Sequence, residues 1–137
     1  MSPDPYSRAV RDRFANPLHA GELPASYADA VTADVRESEA GTAVMLAAQI
    51  DGAMVRRLRY RVFGCPHLIA AAEEICARFE GRNVQDLQEF PLAALMELLD
   101  VPVEKTGRLL LLEDAVHSLA RAILAREPSA AADNRRK

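Results

Sequence analysis

The stretch Arg59-Tyr60-Arg61-Val62-Phe63-Gly64-Cys65-Pro66 reads as a strand that runs straight into a helix, with a cysteine at the junction. Side chains alternate across a strand, so Leu58, Tyr60 and Val62 share one face and Arg57, Arg59 and Arg61 the other. Gly64 frees the backbone to turn. Cys65 falls at the cap position, and Pro66 suits the first helical position, where a missing N–H costs nothing. From Leu68 to Phe79 the apolar period becomes helical. A thiol at a helix N-terminus faces the positive end of the peptide dipoles, which favours thiolate. Cys65 is therefore the residue best suited to chemistry. The competing local reading is a small residue buried at a tight corner, a common fate of free cysteine.

Upstream of this junction, Thr42 to Ile50 reads as a strand, with Val44, Leu46, Ala48 and Ile50 on one face, and Met54 to Phe63 as its return. Asp51-Gly52 between them is a hairpin signal. A weaker alternation over Ala30 to Arg36 gives a first strand. Three antiparallel strands with one apolar face need a cover, and the helices supply it. The arginine stripe on the other face reads as a solvated surface, or as a docking face for an acidic partner. Tyr6 to Ala15 carries an apolar stripe (Tyr6, Ala9, Val10, Phe14) and is a short helix ended by Asn16-Pro17. His19 falls in a loop and is expected at the surface.

Downstream, Cys65 to Glu80 is the first large helix, buried through Leu68, Ile69, Ala72, Ile75, Cys76 and Phe79 and closed by Gly81. Glu73 and Glu74 are expected on its solvated face. His67 lies in the first turn, but residues two apart do not face each other on a helix, which argues against a Cys65–His67 metal pair. Val84 to Leu87 and Leu92 to Leu99 are short helices, and Asp100-Val101-Pro102 is a turn. Glu104 to Arg126 is the last long helix, buried through Leu109, Leu112, Val116, Leu119, Ala120 and Ile123. Leu110 and Leu111 widen its apolar surface, which fits a filled pocket or a homodimer contact. His117 lies beside the stripe. Residues 1–127 make one domain, and 128–137 form a polar tail expected to be disordered.

The chain has 137 residues, enough for one domain with a core, and 50% apolar and 27% charged residues place it among globular proteins. A net charge of −3 gives no general attraction to nucleic acid or anionic membrane. No apolar run approaches the roughly 20 residues that span a bilayer, and the first residues lack a signal-peptide core. These features point to the cytoplasm. Cys65 and Cys76 lie on one helix, about three turns or roughly 16 Å apart, too far for a disulfide, so both are read as free thiols. P-loop, dinucleotide-binding, Ser-His-Asp and zinc-finger patterns are missing, and no catalytic constellation is evident. The residues read as a non-enzymatic α+β domain with one thiol of interest.

Four stretches in register resemble the IscU/NifU-type iron–sulfur cluster scaffolds. Tyr6 to Gly21 (YSRAVRDRFANPLHAG) is similar to their opening helix with its "D-H-F/Y-x-N-P-x-x-x-G" ending, with Arg13 in place of the histidine. Arg59 to Cys65 (RYRVFGC) matches "R-F-K-T-F/Y-G-C". Pro102 and Lys105 sit near "L-P-P-V-K", the chaperone-recognition element, and Glu113-Asp114-Ala115 matches "E-D-A" in the last helix. The resemblance runs from Tyr6 to Leu124. It implies an α+β fold: an N-terminal helix, a three-stranded antiparallel sheet, then helices packed on one sheet face, as in IscU and SufE.

The resemblance also implies a place in iron–sulfur cluster assembly, with cysteine desulfurase or other assembly proteins as partners. The family holds an iron–sulfur cluster, iron or zinc with three cysteines helped by an aspartate and sometimes a histidine. In this chain Cys65 keeps the second cysteine, Ala40 stands at the first, Thr42 at the aspartate, and Gly107-Arg108 at the final His-Cys pair. Clusters and structural zinc need about four strong donors. One chain with Cys65 alone does not supply them, and the Arg108 guanidinium brings a fixed positive charge instead. Two functions remain open at this point. The protein is a degenerate scaffold whose Cys65 accepts a persulfide, by analogy with SufE-type acceptors, or it is a structural or regulatory binding module with a vestigial site. Metal held by Cys65 with help from His67, Glu39 or a partner chain is a third option.

Overall fold

The structure is a computed structural model. It describes residues 6–23, 30–37, 39 and 41–136, with side chains described as far as Ala125.

The chain opens with α1, Arg8–Ala15. Ser7 caps it: its hydroxyl accepts from the Val10 amide at 3.2 Å and donates to the Leu99 carbonyl at 2.8 Å, so the cap also ties α1 to the far half of the chain. Three strands follow: β1 (Val31–Glu37), β2 (Thr42–Asp51) and β3 (Met54–Phe63), antiparallel in the order β1-β2-β3. The hairpin loop is Gly52-Ala53, one residue later than the Asp51-Gly52 signal suggests, because Asp51 pairs with Met54. Gly52 has φ +64, as the first loop position of a primed hairpin turn requires.

The alternation in β3 is broken once. Gln49 pairs with Arg57 and Ile50 with Val55, leaving Arg56 as an extra residue. This bulge returns Val55 to the same buried face as Leu58 and Tyr60. It also sets the register in which β3 reaches Gly64.

The helices cover this face. They are α2 (Pro66–Phe79), α3 (Leu92–Leu99) and α4 (Thr106–Arg136), with 3-10 turns at Val84–Gln88 and Val103–Lys105. α2 packs on β3, and α4 packs on β1 and β2. Leu46 and Leu58 from the sheet meet Leu68 and Ile75 from α2 and Leu112, Leu119 and Ile123 from α4, all at most 1% exposed. Each such side chain contributes about 1.5–3 kcal/mol of burial, so the α2–α4 cover is the main hold on the sheet. Cys76 is fully buried in this core, and burial, with Glu73 and Glu80 nearby, pushes its thiol well up from its ordinary value.

Asp100 ends α3 in the left-handed region, φ 54, and starts the turn to Val103. The last helix begins at Thr106 rather than Glu104 because Lys105 still bonds three residues back, to Pro102. Leu110 is 42% exposed, and Leu111 packs partly on the core. The backbone of α4 is helical through Arg136, across the stretch where a disordered tail is expected over 128–137; the side chains there lie outside those described. Among the described residues no helix is long and apolar enough to cross a membrane.

Candidate functional site

β3 ends at Phe63 and α2 begins at Pro66, so Gly64 and Cys65 form the corner. Cys65 has extended backbone, φ −79 and ψ 164, and is the N-cap of α2. Its carbonyl accepts from the Leu68 and Ile69 amides at 3.0 and 3.1 Å. Its side chain makes no capping hydrogen bond and is half-buried. The thiol is thus placed at the positive end of a helix without being used to cap it.

Gly64 is required by space rather than by φ. A Cβ there would lie 2.9 Å from Leu68 Cδ2 and 3.4 Å from Thr42 Cγ2. Thr42 therefore packs directly on the Gly64–Cys65 corner. It is 2% exposed, and its hydroxyl accepts a hydrogen bond from Arg108 Nη1 at 2.7 Å. Of the positions singled out in the sequence, Thr42 and Arg108 are joined by this bond, and Thr42 packs on Gly64, the chain neighbour of Cys65. Gly107 takes no part: it is exposed, and a Cβ would meet open space. Ala40 lies outside the described residues.

These groups do not fit a cluster or a zinc ion. Thr42 offers a hydroxyl already engaged by a cation, Gly107 has no side chain, and a guanidinium is never a donor atom for a metal. Glu39 is exposed in the turn before β2. Among the described residues no group of three or more His, Cys, Asp or Glu is placed to hold a metal.

His67, placed in the first turn and kept as a candidate extra metal donor, is 3% exposed. Neither ring nitrogen has a hydrogen-bond partner. The ring lies 4.9 Å from that of Tyr6, tilted by 58°. Burial pushes its pKa below 6.5, and Lys105 pushes it further, with Asp100 opposing. The imidazole is therefore neutral at pH 7.

A second cluster corrects two expectations. His19 is not a solvent-facing loop residue. Its Nδ1 lies 2.6 Å from Glu73 Oε2 and its Nε2 3.1 Å from Glu80 Oε1, while its amide donates to Glu73 Oε1 at 2.8 Å. Nor is Glu73 solvated: it is 5% exposed and also accepts from the Tyr60 hydroxyl at 3.2 Å. Burial first, then the Glu73 charge, raises the Tyr60 phenol. Glu74 is held between Arg13 and Arg78, at 2.8 and 2.7 Å. The arginine stripe is likewise partnered: Arg59 donates to Glu80 at 2.7 Å and Arg61 to Glu22 at 2.6 Å. A readable signal exists for the cluster of His19, Glu73 and Glu80. Glu73 and Glu80 lie three before and four after Cys76, on the face that the buried cysteine marks. The cluster anchors the chain after α1 to α2 and β3.

The sequence model of the NifU-like N terminal domain matches residues 5–127. An iron–sulfur cluster assembly scaffold protein IscU of Rickettsia prowazekii is 27% identical over 112 residues, 81% of this chain and 86% of that protein. The corresponding scaffold of Azotobacter vinelandii is 25% identical over 117 residues, 85% and 91% of the two chains. Among solved structures, the N-terminal part of a nitrogen-fixing NifU-like protein from Brucella abortus superposes with a TM-score of 0.70 at 17% identity, covering 88% of this chain and 94% of that one. A putative scaffold protein for the SUF system from Fervidobacterium islandicum gives 0.67 at 16% identity, covering 84% and 96%. The two structures share the α+β architecture, and the match over nearly the whole chain shows that this protein belongs to the NifU-like N-terminal domain family.

Proposed function

We propose that the protein works in iron–sulfur cluster assembly as a scaffold-type protein that handles sulfur through Cys65 instead of building a cluster on its own ligands. The observation that carries this reading is the corner itself: a half-buried, uncapped thiol at the N-terminus of a 14-residue helix. The N-terminus of a helix turns the positive end of its dipole toward such a side chain.

The chemical step is transfer between persulfides. The Cys65 thiolate attacks the outer sulfur of a donor persulfide, the Cys65 S–S bond forms, and the donor S–S bond breaks. The donor leaves as a thiolate. No oxidant is consumed, because the transferred sulfur is already at the sulfane level. The role is that of a carrier and not of an enzyme. Cysteine desulfurase and other assembly proteins are its partners in this reading, and its two free thiols suit the reducing cytoplasm. The test is mass spectrometry of the intact protein after anaerobic incubation with a cysteine desulfurase and cysteine. One added sulfur, lost in Cys65→Ser, is expected. An unmodified wild type, under conditions that load a known acceptor, overturns the reading.

A further inference from the structure

The outer edge of β3 is covered almost to its end. Val55 donates to the Arg82 carbonyl at 2.7 Å and accepts from the Gly81 amide at 2.6 Å. The Leu58 amide donates to Glu80 Oε2 at 2.9 Å. The Tyr60 amide donates to the His19 carbonyl at 3.1 Å, and its carbonyl accepts from Gly21 at 2.8 Å, so Ala20 pairs with Tyr60 as a one-residue parallel bridge. Outward-facing residues of a strand recur every second position, so Val62 comes next. Its N–H and C=O face away from β2, and among the described residues neither has a partner.

Beside Val62 lies an apolar groove of about 410 Å³ lined by Phe14, Pro17, Ala20, Phe63 and Ile69. Phe14 and Phe63 are 49% and 55% exposed. Cys65 follows Val62 by three residues, on the order of 10 Å of extended chain. A main-chain donor and acceptor without partners among the described residues, an apolar recess for an alternate side chain and a thiol one short strand away are the elements of strand addition.

We propose that an extended segment of the sulfur-donor protein adds to β3 at Val62, extending the edge pairing begun by residues 19–21, and so delivers its persulfide to Cys65. This rests on Cys65 accepting sulfur. The open edge specifies a peptide backbone, and the groove an apolar side chain on it. A small-molecule persulfide needs neither, and that difference is the basis of the test.

Sulfur loading of Cys65 is measured by mass spectrometry with two donors: a cysteine desulfurase with cysteine, and glutathione persulfide. Val62→Pro removes the outward N–H, a change that edge strands accept where that N–H faces solvent. Phe63→Glu places a charge in the groove without touching the backbone. Each variant is expected to slow loading from the protein donor by about five- to tenfold, the range for one lost main-chain hydrogen bond or one disrupted apolar contact. Loading from glutathione persulfide is expected to stay at the wild-type rate. Amide exchange at Val62 of the wild type is expected to slow in the presence of the desulfurase. If Phe63→Glu loads from the desulfurase at the wild-type rate, or Val62 gains no protection, strand addition is overturned while the acceptor reading stands. If the wild type loads only from glutathione persulfide, the reading of Cys65 as an acceptor from the desulfurase falls, and this inference falls with it. If the wild type loads from neither donor, the acceptor reading falls and this inference falls with it.

Discussion

Arg108 Nη1 donates to Thr42 Oγ1 at 2.7 Å, joining two positions that lie 66 residues apart in the chain. By resemblance, these are an aspartate and a cysteine position of the scaffolds. Here they form a hydrogen bond that turns both away from ligand chemistry and braces the corner at Gly64 and Cys65.

This brace is measurable. Arg108→Ala leaves a buried Thr42 hydroxyl without its donor, a cost of about 1–3 kcal/mol. Thr42→Val removes the hydroxyl and lets the guanidinium reach water, at a smaller cost. The double variant is expected to lose less than the sum of the two, because the second change removes a bond already broken. Urea unfolding of the four proteins checks this; strict additivity would show that the two side chains do not act together.

Gly64→Ala tests the corner. The added methyl lies 2.9 Å from Leu68 Cδ2, and Leu68 is fully buried, so it has to be displaced into packed core. A loss of about 1–3 kcal/mol is expected, with thermal unfolding as the measurement. Shortening Leu68 to Val in the same chain should return part of the loss, a recovery that a purely conformational cost at position 64 would not give.

Acid should destabilise the protein in two stages. His67 has a folded pKa below its ordinary 6.5, so the unfolded chain takes up its proton first and stability falls as the pH drops below about 6.5. Burial opposes ionisation of Glu80, but bonds from the Leu58 amide, Arg59 and His19 outweigh it; for Glu74, burial is outweighed by Arg78 and Arg13. Both carboxyls therefore sit below their ordinary 4.5, and their contribution is present above that value and lost as the pH falls through the folded pKa. Denaturant midpoints between pH 8 and pH 3 should show both stages, on the order of the ordinary side-chain values. His67→Leu is expected to flatten the upper stage, and Glu80→Gln to reduce the lower.

The two thiols should separate by access. Cys65 is half-buried, whereas Cys76 has no exposed surface and a thiol pushed well up by burial and by Glu73 and Glu80. Native alkylation is expected to modify Cys65 alone, with Cys76 reacting only on unfolding. Peptide mapping after iodoacetamide treatment reads this directly. Equal labelling of the two in the folded protein would contradict the packing of α2.

Much of the fold is legible without coordinates. The alternation of β2 and β3, the Asp51-Gly52 signal and the period change after Gly64 place the hairpin and α2 within a residue or two, because these patterns follow from side-chain direction within one element. The bulge at Arg56 is not legible in this way, since it depends on which residue of β2 faces which residue of β3. The candidate site divides along the same line. Cys65 announces itself by standing between a glycine and a proline at a strand–helix junction. His19 does not, because its two carboxylate partners lie 54 and 61 residues further on.

The sequence by itself determined the elements and the corner that carries the thiol, since each is a property of residue type and local spacing; that Ala40, Thr42, Gly107 and Arg108 stand at ligand positions is what the family resemblance implies. Only the tertiary structure decided that Thr42 and Arg108 meet, that His67 and Glu73 are buried, and that among the described residues the edge of β3 is covered up to Tyr60 and has no partner at Val62. Those facts arise when distant segments compete for the same surface and the same backbone hydrogen bonds. Local spacing carries no record of which segment wins.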